Sequence, residues 1–243
     1  MTAPTIVLLH GVGLDHHMWA PLVGHLGDRA TVITPDLLGH GANPPAPVGI
    51  TLRDLADGVL THLPAGSHLV GFSLGALVAQ HIARFHPDLI ASVTSVSSVC
   101  KRTPAEREAV LGRLRVAEQD FDASADASVH RWFDGTDVPE DIVTDTDRVL
   151  RATDHQSFLN CYRVFATGDA EIGPELQHIA MPALAVTGEL DPGSTPEMTH
   201  RLAQSIPGCR EIVVDDARHM LPVQRPAELA NHLITFIGEY AHV

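Results

Sequence analysis

Five residues constrain this chain more than any others: Gly71-Phe72-Ser73-Leu74-Gly75, a G-x-S-x-G pattern that occurs once. The run leading into it, His68–Ser73 (HLVGFS), is short and apolar and reads as a strand. The run leading out, Leu74–Phe85, sets Leu74, Leu77, Val78 and Ile82 on one helical face. A serine between such a strand and such a helix sits on a tight turn, the context this pattern requires. Glycines on either side give the backbone room and let the helix pack close. The hydroxyl is then held at the end of the strand, above a helix N-terminus that favours negative charge. The Leu74 backbone N–H is placed to bind an oxyanion. The bland alternative is a chance glycine-rich turn, and the flanking strand and helix weigh against it.

Other runs repeat the strand pattern: Thr5–Gly11, Arg29–Asp36, Ile90–Val99, Ala183–Gly188 and Arg210–Asp215. Helical patterns lie between them. Thr51–Leu63 opens with Thr51 and Asp54, an [ST]-x-x-[DE] capping box. Pro196–Ile206 and Pro226–Tyr240 each begin with proline, a favoured first helical residue. Strands alternating with helices predict an α/β fold, a mostly parallel sheet with helices on both faces. The rhythm breaks from about Lys101 to Gly173, where the pattern is helical without a strand. The expected division is a core of residues 1–100 and 174–243 and a small helical cap, 101–173, lying over the sheet.

A serine hydroxyl is a poor nucleophile without a base beside it. In this arrangement an acid and then a histidine follow the serine along the chain. ALAVTGELDPGSTP ends a strand at Gly188 and places Asp191 just beyond it. REIVVDDARHMLPVQRP ends a strand near Asp215 and places His219 in the next loop. With 16 histidines in the chain, most are solvated or structural, and His219 stands out by position. Glu189 competes with Asp191, but a loop position reaches the histidine better. His10-Gly11-Val12-Gly13 follows the first strand and offers Val12 N–H as a second oxyanion donor. Asp15, His16 and His17 read as loop and helix-start polarity, and no metal site is expected.

In the helical insertion Trp132, Phe133, Phe158, Tyr162 and Phe165 are candidate pocket walls, with plain packing as the alternative for each. Arg131 or Arg163 is placed to clamp a substrate carboxylate bidentately. The formal net charge of −14 opposes binding to nucleic acid or anionic lipid, so the expected partner is a small molecule. Cys100, Cys161 and Cys209 are odd in number and widely spaced, which reads as three reduced thiols. The apolar run Ile6–Leu9 is too short for a leader or a membrane span, which predicts a soluble, cytoplasmic protein.

These residues carry a resemblance. HGVG, PDLLGHG, GFSLGALVAQ, TGELD and ARHM occur in the order found in the α/β-hydrolase superfamily, over nearly the whole span Thr5 to Ile237. Within it the chain is most similar to the 3-oxoadipate enol-lactonase and carboxylesterase group, through GLDHHMW, HRWFDGTD and SFLNCYRVFATGD. The resemblance implies hydrolysis of a small ester or lactone, without a cofactor. Two features depart from the group. Leu38 stands where enol-lactonases usually carry arginine. The first strand begins at Thr5, so the usual N-terminal hairpin is expected to be absent, as in the hydroxynitrile-lyase and plant methyl-esterase branch. The shorter sheet then leaves an edge to protect, for which a homodimer is one means. Carbon–carbon hydrolases, hydroxynitrile lyases and ligand receptors of this fold are the alternatives left open.

Overall fold

The computed structural model describes residues 3–240; the outermost residues of the expected core, 1–2 and 241–243, lie outside it. In chain order the elements begin β1 Thr5–Leu9, α1 Ala20–Leu26, β2 Thr31–Ile33, α2 Leu52–Leu60, β3 Ser67–Phe72, α3 Leu74–Phe85 and β4 Ile90–Val96. Four helices follow: α4 Pro104–Gln119, α5 Phe121–Phe133, α6 Glu140–Ala152 and α7 His155–Ile172. The chain then returns to the sheet through β5 Ala183–Gly188, α8 Pro196–Ser205, β6 Arg210–Val214, α9 Leu221–Gln224 and α10 Pro226–Tyr240.

The six strands form one parallel sheet in the order β2-β1-β3-β4-β5-β6. Its central strands are apolar on both faces because helices cover both sides. Ile6 to Leu9, Leu69, Val70 and Leu184 to Val186 are all buried. Every connection between neighbouring parallel strands is a crossover, so all strand ends of one kind fall on one rim. The C-terminal rim therefore gathers the residues just after β1, β3, β5 and β6. Both edge strands are short; β2 has only three residues. A strand that short offers little for another chain to pair with.

Local chemistry sets the helix starts. Thr51 and Asp54 form the capping box expected of them, each side chain bonding the other's backbone N–H. Thr103 and Glu106 repeat it at the head of α4, with Pro104 next. The helix α1, opened by Trp19-Ala20-Pro21, has no counterpart in the sequence reading. It is seven residues long, too short to show a clear period.

A buried charge cluster joins the two ends of the four-helix insertion. Arg102 Nη1 lies 2.6 Å from Asp169 Oδ1, and both side chains are almost fully excluded from water. Arg107 reaches the same carboxylate at 2.8 Å. The Arg102 guanidinium also lies 4.7 Å from the centre of the Phe165 ring. One carboxylate thus holds the entry of the insertion against its last helix.

The start of α3 packs directly on the end of the first strand. A β-carbon on Gly75 would stand 2.6 Å from the His10 carbonyl oxygen and nearer still to that of Leu9. One on Gly71 would stand 2.6 Å from Ala76 Cα. Neither backbone has room to yield. Gly75→Ala should therefore cost on the order of 3 kcal/mol or more. Gly58→Ala, in α2 where a new β-carbon meets nothing within 4 Å, should stabilise by about 0.5–1 kcal/mol. Urea unfolding of the two variants checks the contrast.

Candidate active site

Ser73 joins β3 to α3 with φ 54° and ψ −111°. A residue with a β-carbon held there costs on the order of 1–3 kcal/mol, and the surroundings hold it. Its N–H donates to the Val96 carbonyl at 3.0 Å, and its carbonyl accepts from Ala76 N–H at 3.1 Å. The glycine contacts on either side fix the turn. Ser73 is thereby presented on the C-terminal rim at the positive end of a twelve-residue helix.

The loops after β5 and β6 bring in the two partners. Asp191 Oδ2 accepts from His219 Nδ1 at 2.7 Å. Its Oδ1 accepts from the backbone N–H groups of Gly193 (2.8 Å) and Ser194 (2.9 Å). Both carboxylate oxygens are thus occupied, and the carboxylate has no freedom to turn away. A carboxylate only accepts, so in the neutral ring the proton sits on Nδ1 and the lone pair on Nε2. The loops are bound to each other: Leu190 N–H donates to the Ala217 carbonyl at 2.8 Å. A β-carbon on Gly188 would meet the Arg218 carbonyl at 2.8 Å. Ser97 Oγ donates to the His219 carbonyl at 3.0 Å. Glu189 is exposed and instead accepts from Asp216 N–H at 3.2 Å.

Two aromatic rings neighbour the imidazole. Phe72 is 5.0 Å away, centre to centre, and Trp132 of α5 lies nearly parallel at 6.3 Å and 22°. Ser73, Asp191 and His219 line one cavity. Ser73 Oγ and the imidazole share it without a hydrogen bond closer than 3.5 Å, and in a free enzyme that contact is often loose until substrate arrives.

Two buried histidines build the loop after β1. His10 Nδ1 donates to the Gly11 carbonyl at 2.8 Å while Nε2 accepts from Leu37 N–H at 2.9 Å. His40 Nδ1 donates to the Leu38 carbonyl at 3.2 Å while Nε2 accepts from Gly13 N–H at 2.9 Å. The Gly13 N–H is consumed and Leu14 N–H donates to Gly11. Among the described residues Val12 N–H and Leu74 N–H donate to nothing, and the Leu74 group is a helix-start donor with no partner inside the helix. Asp15 accepts from His17 N–H and caps the short turn His16–Trp19. Its ligand atom lies within 4.8 Å of those of His16 and His17. His16 bonds Asp36 through both backbone and ring.

Val12, Arg113, Ser128, Arg131, Trp132, Phe158, Tyr162, Phe165, Gly193 and Ser194 complete the cavity wall. Its volume is about 40 Å³, space for a few water molecules. Of the expected wall residues, Trp132, Phe158, Tyr162, Phe165 and Arg131 are there. Phe133 is not: it is the last residue of α5 and is buried in the hydrophobic core. Arg163 is not a clamp either. It lies on the exposed side of α7, one position on from buried Tyr162, and pairs with Glu118 at 2.6 Å. Arg113 and Ser194 were absent from the sequence reading. Arg113 is one of several arginines in a polar helix, and nothing in its neighbours marks it.

A family model described as the alpha/beta hydrolase family matches residues 6–232. The chain is 30% identical over 229 residues to (E)-2-((N-methylformamido)methylene)succinate hydrolase of Acinetobacter baylyi, covering 92% of this chain and 86% of that one. It is 30% identical over 242 residues to 3-oxoadipate enol-lactonase 1 of the same organism, covering 97% and 89%. The crystal structure of the enol-lactonase from Burkholderia xenovorans superposes with a TM-score of 0.86 at 29% identity, covering 98% of this chain and 92% of that one. Among the described residues no helix is long and apolar enough to cross a membrane.

Burial holds both structural histidines neutral. It lowers His10 to about 4, against the smaller pull of the Gly11 carbonyl. It lowers His40 to about 3, helped by the neighbouring His10. In the unfolded chain both titrate near about 6.5. Between those values the unfolded state binds more protons, so stability is full above about pH 6.5 and declines toward pH 4. Urea midpoints measured from pH 7.5 to 4.5 should fall along this slope. His40→Gln should lower the midpoint at pH 7.5 and flatten the slope. A wild-type midpoint that stays constant over this range would contradict the assignment.

Proposed function

The chain belongs to the α/β-hydrolase family and is a hydrolase of that fold, and from this premise we propose that it cleaves a small ester or lactone through an acyl-enzyme on Ser73. One observation carries the reading. A serine on a strained strand-to-helix turn shares a cavity with a histidine whose far nitrogen is bonded to a buried carboxylate at 2.7 Å.

Ser73 Oγ attacks the carbonyl carbon while His219 Nε2 takes its proton. Asp191 keeps the imidazole in the tautomer that can accept and stabilises its positive form. The charge that develops on the carbonyl oxygen is met by the N–H groups of Val12 and Leu74. Losing one such donor costs about 100-fold to 1000-fold in rate. His219 returns the proton to the leaving oxygen, then draws one from water, whose hydroxyl releases the acid. The helical insertion closes the site as a cap, with Trp132 holding the imidazole as well as bounding the substrate.

The names of the relatives support a carboxylic substrate of this size. They are a succinate-derivative hydrolase and enol-lactonases. The test is hydrolysis of p-nitrophenyl acetate. Wild type should turn it over, and Ser73→Ala should fall to background. Asp191→Asn should lose about three to four orders of magnitude in kcat, since the amide favours the wrong tautomer. Equal activity in wild type and Ser73→Ala would remove Ser73 from the mechanism.

A further inference from the structure

Among the described residues, Ser73, Ser97, Lys101 and Asp216 are the non-glycine positions in the left-handed region. Lys101 and Asp216 are exposed, whereas the two serines are buried. Ser73 owes its strain to the tight turn before α3. Ser97, at φ 47°, stands just after β4 and does not line the cavity. Glycine or asparagine takes that conformation at less cost. Strain of this kind persists where the surroundings fix it, and it concentrates at functional sites. What serine has there that glycine lacks is a hydroxyl.

The surroundings that fix Ser97 are those of the triad. Its Oγ donates to the His219 carbonyl at 3.0 Å. That carbonyl also accepts from Leu221 N–H at 2.8 Å, so the backbone of the base is held from two directions. Ser97 N–H donates to the Val186 carbonyl at 2.8 Å, which ties it to β5. The residue before it, Val96, accepts from Ser73 N–H at 3.0 Å. The residue after it, Ser98, accepts at Oγ from Gln80 Nε2 of α3 at 2.9 Å. Three successive residues at the end of β4 thus hold the nucleophile, the base and the helix that follows the nucleophile. Ser73 Oγ and the imidazole share no hydrogen bond closer than 3.5 Å. Their separation is therefore set by what holds their backbones.

We propose that Ser97 is a positioning residue for the base. Its hydroxyl fixes the His219 backbone relative to Ser73, so that Nε2 reaches Oγ when the ester forms and reaches water when the ester is cleaved. The left-handed φ turns the chain out of β4 with Oγ facing the loop after β6. This rests on the acyl-enzyme reading of Ser73. The reaction balances as ordinary hydrolysis, and the Ser97 proton stays on its oxygen throughout. Misplacing a reacting group by about 1 Å costs on the order of 100-fold in rate, which gives one hydrogen bond to the backbone of the base its leverage.

The test separates the hydroxyl from the strain. Ser97→Ala removes the hydroxyl and keeps the strain, whereas Ser97→Gly removes both. Ser97→Gly should therefore unfold at a higher Tm than Ser97→Ala, and it carries the test on its own should Ser97→Ala fail to fold. On p-nitrophenyl acetate both variants should lose about tenfold to a hundredfold in kcat, with KM close to that of wild type. The second-order rate of fluorophosphonate labelling at Ser73 should fall by a similar factor, since that attack also needs the base. Labelling carries the comparison if the cap excludes the ester. A merely structural role predicts that rate follows stability, so that Ser97→Gly recovers the wild-type kcat and labelling rate. That recovery, or a loss confined to KM, overturns the proposal while Ser73-dependent turnover stands. Turnover that survives Ser73→Ala, or a wild type that the probe does not label, is instead a failure of the acyl-enzyme reading itself.

Discussion

A β-carbon at position 75 would stand 2.6 Å from the carbonyl oxygen of His10, so α3 rests on the end of β1 with no side chain between. The rest of the site follows from that contact. It forces the chain to turn within one residue after β3, which puts Ser73 at φ 54°. It sets the start of α3 beside the loop that leaves β1, so Val12 and Ser73, distant in sequence, line the same cavity. A looser packing would leave a serine in an ordinary turn, with a flexible hydroxyl and one donor at most.

Strain at Ser73 is offset by redundancy around it. The loop after β1 is pinned by His10 and His40, each using both ring nitrogens on backbone groups. Those bonds require the neutral ring, because a second proton would set two donors face to face. Burial and hydrogen bonding therefore agree. Asp191 is similarly over-determined, with three donors on two oxygens. His219 adds contact with the rings of Phe72 and Trp132. Groups held this firmly need little reorganisation as charge develops, which is where catalysis by fixed dipoles gains most. The helical insertion contributes Trp132 to this frame as well as walls to the cavity, so the element that bounds the cavity also packs on the His219 ring.

The strands, their parallel pairing and the turn at Ser73 were legible in the sequence because each rests on local pattern. The six apolar runs became the six strands, and α3 and α10 kept their expected bounds. Asp191 and His219 were found from their places after late strands, and the structure brings both into the cavity with Ser73. The walls were harder to read. Which residue of an amphipathic helix faces a cavity depends on the helix's rotation, set by packing against partners remote in sequence. Tyr162 and Arg163 are adjacent, yet one lines the cavity and the other pairs with Glu118 on the outside. Trp132 and Phe133 part in the same way. Arg113 reaches the cavity only through the way α4 packs beside Tyr162 of α7, a fact of tertiary structure. The roles of His10 and His40 were hidden likewise, since the bonds from their rings to Leu37 and Gly13 join residues 27 apart in sequence.

The central claim is that the reaction passes through an ester on Ser73. Its most direct measurement is rapid acid quench of the enzyme during turnover of an activated ester, followed by intact and peptide mass spectrometry. The account predicts an added acyl mass on the peptide that contains Ser73, appearing faster than steady-state turnover and decaying when substrate is exhausted. Turnover without any adduct, or an adduct on a different residue, would contradict it.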